Sequence, residues 1–398
     1  MDLYVVTNGW FSSKDIGGGY NIFMNMIKRW CKMGINLHIY TSWVGYLLIH
    51  GRSNIEADYH IIDKSPEVNE LSTKRFILTS LKRIIKSCIL LLDLQKKTSD
   101  IIILSYGDFI FDTFPCFFVK LFNKRIKWVS PFFMIAPSPF KGYRKAFSKE
   151  YKFPNLNEML YFVNQRISTQ LIKSCADLVL PIHPQIIKFL KKKGIPEKKI
   201  CRINGGVDLK YLSKIKSKGK KYDACFVGRF HPQKGIDDLI DIWKIVCNSK
   251  NDAKLVMMGS GTQKMKEEIE RLGLEKNIIL MGFVNEVKKI KTIKESNIFL
   301  FPSYYESWGI VACEAMACGL PVIAYDLPVF KSIFKKGMVT APIGKKQIFA
   351  DKVICLLNNE NIRNKLSKGA LETARLYDYD KTASDAFNAL NKLVKKNN

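Results

Sequence analysis

The stretch IFLFPSYYESWGIVACEAMACGLPVIA, residues 298–324, decides the fold. Its first four residues are apolar and β-prone, and a loop of Pro, Tyr and Glu follows. Residues 311–317 are apolar at helical spacing, and 321–324 return to a β-rich run. A strand, a helix and a second strand in so short a length read as one βαβ unit with parallel strands. Working backward, the same rhythm recurs as strands at 224–227, 254–258 and 278–281, with helices at 236–247, 264–272 and 287–295. Forward of it, helical patterns cover 346–357 and 380–396.

The first half repeats the alternation. Strands are predicted at 3–7, 35–41, 101–105, 126–129, 178–181 and 200–203, and helices at 20–33, 74–97, 156–174 and 185–193. Residues 42–73 have no clear period. NGGVD at 204–208 and the lysine-rich run 214–221 separate the two series. Two doubly wound α/β domains in tandem follow, 1–205 and 206–378, then a helix in 379–398. Ligands of such sheets bind at the carboxyl ends of the strands, so two facing domains would place a site in a central cleft.

The 398 residues are 47% hydrophobic and 25% charged, which excludes disorder or a fibre as the main state. Lys and Arg number 64 against 36 Asp and Glu, a net charge of +28, and both halves are basic. Such an excess attracts polyanions: nucleic acid, anionic lipid or phosphate-bearing ligands. The ten cysteines contain no CxxC pair and mostly sit in apolar runs, as buried free thiols of a reducing compartment do. The start, MDLYVVTNGW, lacks a basic n-region, so no signal peptide is expected. The longest apolar run, 101–122, is broken by Gly107, Asp108, Asp112 and Pro115, so no membrane span is expected.

Three groups of residues could carry chemistry. Gly17, Gly18 and Gly19 follow the first strand and open the first helix, where backbone N–H groups can approach a phosphate; a plain tight turn reads equally well. GxGxxG and the Walker GxxxxGK[ST] are both absent, which argues against dinucleotide binding and a P-loop. Arg229 and Lys234, in VGRFHPQKG directly after the 224–227 strand, suit a diphosphate clamp. Glu306 and Glu314, spaced E-x7-E, fall in a strand-end loop and on the first turns of the next helix. There they can accept hydrogen bonds from sugar hydroxyls. Solvated cations and surface glutamates are the plain alternatives for the last two groups.

NGGVD, VGRFHPQKG, MMGSGTQ, MGFV and PSYYESWGIVACEAMACGLPVIA, in that order, resemble the retaining glycosyltransferases of family 4 (glycosyl transferases group 1). The resemblance runs nearly the length of the chain, including CADLVLPIH ahead of NGGVD. It implies the GT-B fold, with two Rossmann-like domains and a C-terminal helix returning to the N-terminal one. It implies that Arg229 and Lys234 bind the donor diphosphate and that Glu314 binds the ribose. Glu306 would contact the transferred sugar and stabilise positive charge at its anomeric carbon. Gly309, Ile310 and Val311 would offer backbone N–H groups to the distal phosphate, and Gly17 and Gly18 would approach the diphosphate from the other domain. No metal and no cofactor are implied; a UDP- or GDP-linked sugar is the substrate, and no DxD triad appears. One departure stands out. The family's donor-facing histidine after the 126–129 strand is missing from WVSPFFM, where Ser130 lies nearest.

The implied activity is transfer of a hexose-type sugar to a hydroxyl of a lipid-linked or cell-envelope glycan, at the cytoplasmic face of the membrane. A soluble sugar acceptor is the alternative. Two basic segments bear on this. Residues 74–97 read as a basic amphipathic helix with Ile77, Leu81, Ile84, Cys88 and Leu91 on one stripe, which an ordinary domain helix would pack on the sheet. FKGYRKAFSKEYKF, 140–153, interleaves cations with aromatics, as an interfacial anchor does. A nucleic-acid-binding protein would explain the charge but leaves E-x7-E and the 228–235 loop unexplained, and no RRM, KH or helix-turn-helix signature appears.

Overall fold

The computed structural model describes residues 1–9, 17–65, 72–96, 101–140, 153–154 and 156–395. The chain divides into two compact units. One takes the described residues of Met1–Phe140, Lys152–Asn204 and Asp380–Asn398, and the other takes Gly205–Tyr379.

The first unit holds six parallel strands: β1 (Asp2–Thr7), β2 (Asn36–Ser42), β3 (Asp58–Asp63), β4 (Ile102–Ser105), β5 (Lys127–Phe132) and β6 (Leu178–Pro181). Their order is β3-β2-β1-β4-β5-β6. The second holds β7 (Tyr222–Val227), β8 (Leu255–Met258), β9 (Ile278–Gly282), β10 (Ser296–Phe301), β11 (Val322–Tyr325) and β12 (Met338–Ala341), ordered β12-β11-β10-β7-β8-β9. Read from the other edge, that is the same winding. The chain reverses direction between β1 and β4, and again between β7 and β10, and the crevice at such a point is where doubly wound sheets bind ligands. The central strands are buried on both faces, which is why they read as unbroken apolar runs.

Several elements differ from the sequence reading. The aperiodic stretch 42–73 contains a helix, Trp43–Ser53, and the edge strand β3. Ser42 starts that helix by accepting a hydrogen bond from the Gly45 N–H at 3.2 Å. β3 is DYHIID, half-exposed and polar, so it carries little alternation. The run 101–122 contains the helix Ile110–Phe122 with Pro115 inside it. Proline cannot donate to the Phe111 carbonyl four residues back; the Asn8 amide does so instead, at 2.7 Å. Residues 200–203 form no strand beyond a single bridge from Ile200 to Val179. β12 and the helices Leu209–Lys214, Pro328–Ile333 and Glu360–Arg375 complete the second unit.

The final helix, Tyr379–Lys395, closes on the first unit. The indole of buried Trp30 donates to the Ala383 carbonyl at 2.8 Å, and Arg29 pairs with Asp380. All ten cysteines are free: four are buried, five half-buried, and Cys355 is exposed. The basic aromatic segment lies outside the described residues except for its ends, of which Phe140 and Phe153 are exposed. Among the described residues, no helix is long and apolar enough to cross a membrane.

Candidate donor site

The candidate residues of the second unit gather at its switch point, where β7 and β10 are neighbours. After β7 the chain runs through Gly228, Arg229, Phe230 and His231 into a single turn, Pro232–Lys234. There His231 Nδ1 accepts from the Gln233 N–H at 3.2 Å. Gly235 ends the turn with φ of 67°, and a Cβ there would lie 2.0 Å from the Pro302 carbonyl oxygen. Only glycine meets both conditions, and the contact brings the cationic loop against the loop leaving β10. On the other side, a Cβ at Gly259 would lie 1.8 Å from the Gly228 carbonyl oxygen, so the glycine loop after β8 is pressed against the same segment.

The two loops are stitched together. Tyr304 N–H donates to the Gln233 carbonyl at 2.9 Å, and the Gln233 amide donates to the Tyr305 carbonyl at 3.1 Å. The Tyr304 and Tyr325 hydroxyls both donate to Asp238 Oδ2, at 2.5 and 2.6 Å. Lys234 Nζ lies 2.5 Å from Glu306 Oε1, with the two side chains 19% and 9% exposed. A nearly enclosed carboxylate without that ammonium would carry a large desolvation penalty. Arg229 is exposed at the mouth of the loop.

Trp308, the bulky residue of ESWG, is fully buried against Gly205, Phe334 and Tyr377. A Cβ at Gly205 would come within 2.6 Å of its ring, which gives the first glycine of NGGVD a packing reason. Gly309 follows with φ of 98° and opens the helix Ile310–Ala317. Ile310 and Val311 sit in its first turn, where N–H groups have no partner within the helix.

Glu314 lies one turn in and is paired with Lys289, at 2.8 Å, from the helix Glu286–Lys294. Lys289 also reaches Glu286 at 3.0 Å. Burial works against the Lys289 charge, but the two carboxylates outweigh it and raise its pKa, so it is an ammonium. Burial likewise raises the Glu314 carboxyl, opposed by Lys289. Both carboxylates of E-x7-E therefore have a lysine partner. Lys289 was missed in the sequence because it sits in a lysine-rich helix with no motif of its own.

Gly17 and Gly18 belong to the first unit. Gly17 precedes the helix Gly18–Lys32 with φ of −73°, and no described heavy atom lies within 4 Å of a Cβ built there. Among the described residues nothing crowds a side chain at 17; Gly19 is different, since a Cβ would meet the Phe133 ring at 2.9 Å. Ser130 is buried, its hydroxyl 3.1 Å from that of Ser105, so it presents no group to a ligand.

A polar network without a sequence motif lies at the strand ends of this unit. Asp112 accepts from the backbone N–H groups of Asn8, at 2.6 Å, Gly9 and Gly107. Asp108 accepts from Gln165 at 2.5 Å, and Arg83 pairs with Asp63 at 3.0 Å while donating to the Asn8 carbonyl at 2.8 Å. Burial pushes the Asp108 and Asp112 carboxyls up to about 7.

Residues 209–373 match the model of glycosyl transferases group 1. Over 165 residues the chain is 32% identical to a phosphatidyl-myo-inositol mannosyltransferase of Mycobacterium leprae. That stretch is 40% of this chain and 44% of the relative, less than half of its length. Across 99% of both chains the fold is that of a sucrose-phosphate synthase from Thermosynechococcus elongatus, with a TM-score of 0.76 at 15% identity. The Anabaena protein Alr3699/HepE, solved with UDP and glucose, matches over 98% of this chain and 100% of its own, with a TM-score of 0.71 at 16% identity. Residues 209–373 are thus similar to the glycosyl transferases group 1, and the chain has the GT-B fold.

Proposed function

We propose that the protein is a retaining glycosyltransferase. It would move a hexose-type sugar from a UDP- or GDP-linked donor to a hydroxyl of a lipid-linked or envelope glycan at the cytoplasmic membrane face. The observation that carries this reading is the Lys234–Glu306 pair at the β7/β10 switch point, with Arg229 beside it and the Gly309 helix start in the same loop. A cation and a carboxylate held together there can serve the two halves of one substrate, the diphosphate and the sugar. Arg229 and Lys234 meet the phosphate charge, and the N–H groups of Ile310 and Val311 meet the distal phosphate. Glu314 accepts from the ribose hydroxyls, and Lys289, 2.8 Å away, opposes the upward push of burial on its carboxyl. Gly17 and Gly18, at the start of the first unit's Gly18–Lys32 helix, are assigned to the donor as well by the resemblance of this glycine loop to the family's.

In the reaction, an acceptor hydroxyl attacks the anomeric carbon from the face the diphosphate leaves. The bond from carbon to phosphate oxygen breaks as the new glycosidic bond forms, and the acceptor proton passes to the departing phosphate oxygen. Negative charge grows on the leaving group, and the Arg229 and Lys234 cations stabilise it without reorganising. Positive charge at the anomeric carbon faces Glu306. No metal is invoked, so turnover should be unchanged by EDTA. The lipid-type acceptor draws support from the phosphatidyl-myo-inositol mannosyltransferase relative.

The test is product analysis with the matching donor. The anomeric configuration of the donor should be kept in the product, with EDTA present throughout. An inverted product would sink the retaining mechanism. Loss of turnover with EDTA that Mg²⁺ or Mn²⁺ restores would sink the cation clamp. Transfer to free sugars but not to a polyprenyl- or lipid-linked acceptor would favour the soluble-acceptor alternative.

A further inference from the structure

The helix Thr73–Leu91 packs on the first unit with only part of its apolar residues. Its buried stripe is Ser80, Arg83, Ile84, Ser87, Cys88 and Leu91, half of it polar. Arg83 and Ser87 face inward because the Asp63 and Asn8 network holds them. The apolar stripe is left outside: Leu78, Leu81, Ile85 and Ile89 are 58%, 50%, 58% and 60% exposed. Steps of three and four residues put these on one line along the helix. The sequence reading placed Leu81 on the packed stripe; it is on the open one.

Charge decides what covers this face. TKRFILTSLKRIIKSCILL contains no acid, and Arg75, Lys82 and Lys86 are exposed along one border of the apolar line. A second copy of the helix would set these cations against their equals. An anionic leaflet accepts the apolar line among its acyl chains and the cations among its headgroups. The apolar surface continues past the start of the helix. Thr73 Oγ1 hydrogen-bonds Asn157 at 3.0 Å, next to Leu156 and Met159, which are 60% and 41% exposed.

We infer that the exposed face of the Thr73–Leu91 helix is a membrane-docking surface that seats the first unit on an anionic lipid leaflet. This rests on the lipid-facing half of the function proposed above and is independent of the donor half. Association should be reversible, needing both the apolar line and the cations.

The experiment is co-sedimentation of the full chain with vesicles of phosphatidylcholine alone or with about one third phosphatidylglycerol, at low and physiological salt, with charge screened over about 8 Å at the latter. Wild type should pellet with the anionic vesicles and stay in solution with the neutral ones. Ile85→Ser/Ile89→Ser should lower the partition coefficient at least tenfold at both salts. Lys82→Gln/Lys86→Gln should lower it severalfold at low salt and flatten its salt dependence. All positions are exposed, so unchanged far-ultraviolet circular dichroism and melting temperature should accompany the losses. Wild-type partitioning by both variants would overturn the inference. So would equal binding of wild type to both vesicle types, or a dimer in sedimentation velocity that Ile85→Ser/Ile89→Ser splits. Donor affinity, measured on the same variants, separates this failure from failure of the glycosyltransferase reading.

Discussion

The two units wind their six strands in the same order, yet they finish the carboxyl ends of those strands in opposite ways. In the first, the ends are closed by a buried polar network: Asp63, Asp108 and Asp112 with Arg83, Gln165 and Asn8. In the second, they carry glycines that pack the loops tightly, leaving Arg229 exposed and the pairs Lys234–Glu306 and Lys289–Glu314 only partly covered. One edge joins its polar groups in a buried network, and the other holds Lys234–Glu306 and Lys289–Glu314 as ion pairs near the surface. Topology alone therefore does not locate chemistry; what the strand ends bond to does.

The sharpest way to break this contrast is to remove one cation from the open edge. Arg229→Ala should lower turnover about 10²–10³-fold, the range for loss of one preorganised group facing developing charge. Its melting temperature should hardly move, because the side chain is exposed. Lys234→Ala should lose turnover as much and stability too, since Glu306 is left enclosed without its partner. Equal melting curves for both variants would contradict the burial argument.

The closed edge should respond in the reverse sense. Asp112→Ala orphans the N–H groups of Asn8, Gly9 and Gly107. At roughly 1–3 kcal/mol for each unsatisfied buried group, it should lower unfolding free energy by several kcal/mol in urea titrations. Glu314→Ala, on the open edge, should weaken donor binding by about ten- to a hundredfold. A large stability loss for Glu314→Ala with unchanged donor affinity would assign the residue to packing instead.

A smaller effect is the pH dependence of the first unit. Asp108 and Asp112, raised to about 7, hold protons in the fold that the unfolded chain releases near pH 4. Between those values the folded state binds more protons, so stability falls as pH rises from about 4 to 7. His183, lowered to about 4 by burial and Arg202, pulls the other way below its usual 6.5. The informative quantity is thus a difference: Asp108→Asn should flatten the decline in urea midpoint between pH 5 and 8 relative to wild type. Parallel pH profiles would mean that Asp108 is ionised throughout. Smallest of all, Ser130→Ala should cost about 1 kcal/mol through its bond to Ser105 and leave donor affinity unchanged.

The same contrast explains what could be read from the sequence. The open edge is written in short motifs, because glycine at 235 and 309 and the E-x7-E spacing are needed by local geometry. The closed edge joins residues far apart, such as Asn8 with Ser87 and Asp108 with Gln165, so no window contains its pattern. Lys289 escaped notice for a related reason: its partner Glu314 lies on another helix. The helix at Ile110–Phe122 was hidden by Pro115, which Asn8 makes tolerable from across the unit. In the Thr73–Leu91 helix, Ile84, Cys88 and Leu91 of the predicted stripe are buried but Ile77 and Leu81 are exposed, since periodicity reports a stripe and not what it touches. Polar Arg83 and Ser87 are drawn inward by partners on other elements.

On the function proposed above, the open edge of the second unit binds a nucleotide diphosphate sugar. Isothermal titration of UDP- and GDP-linked hexoses in EDTA tests it directly, using wild type, Glu314→Ala and Ser130→Ala. At least one donor should bind wild type and Ser130→Ala equally, and Glu314→Ala at least tenfold more weakly. No binding by any donor, or equal binding by all three proteins, would contradict it.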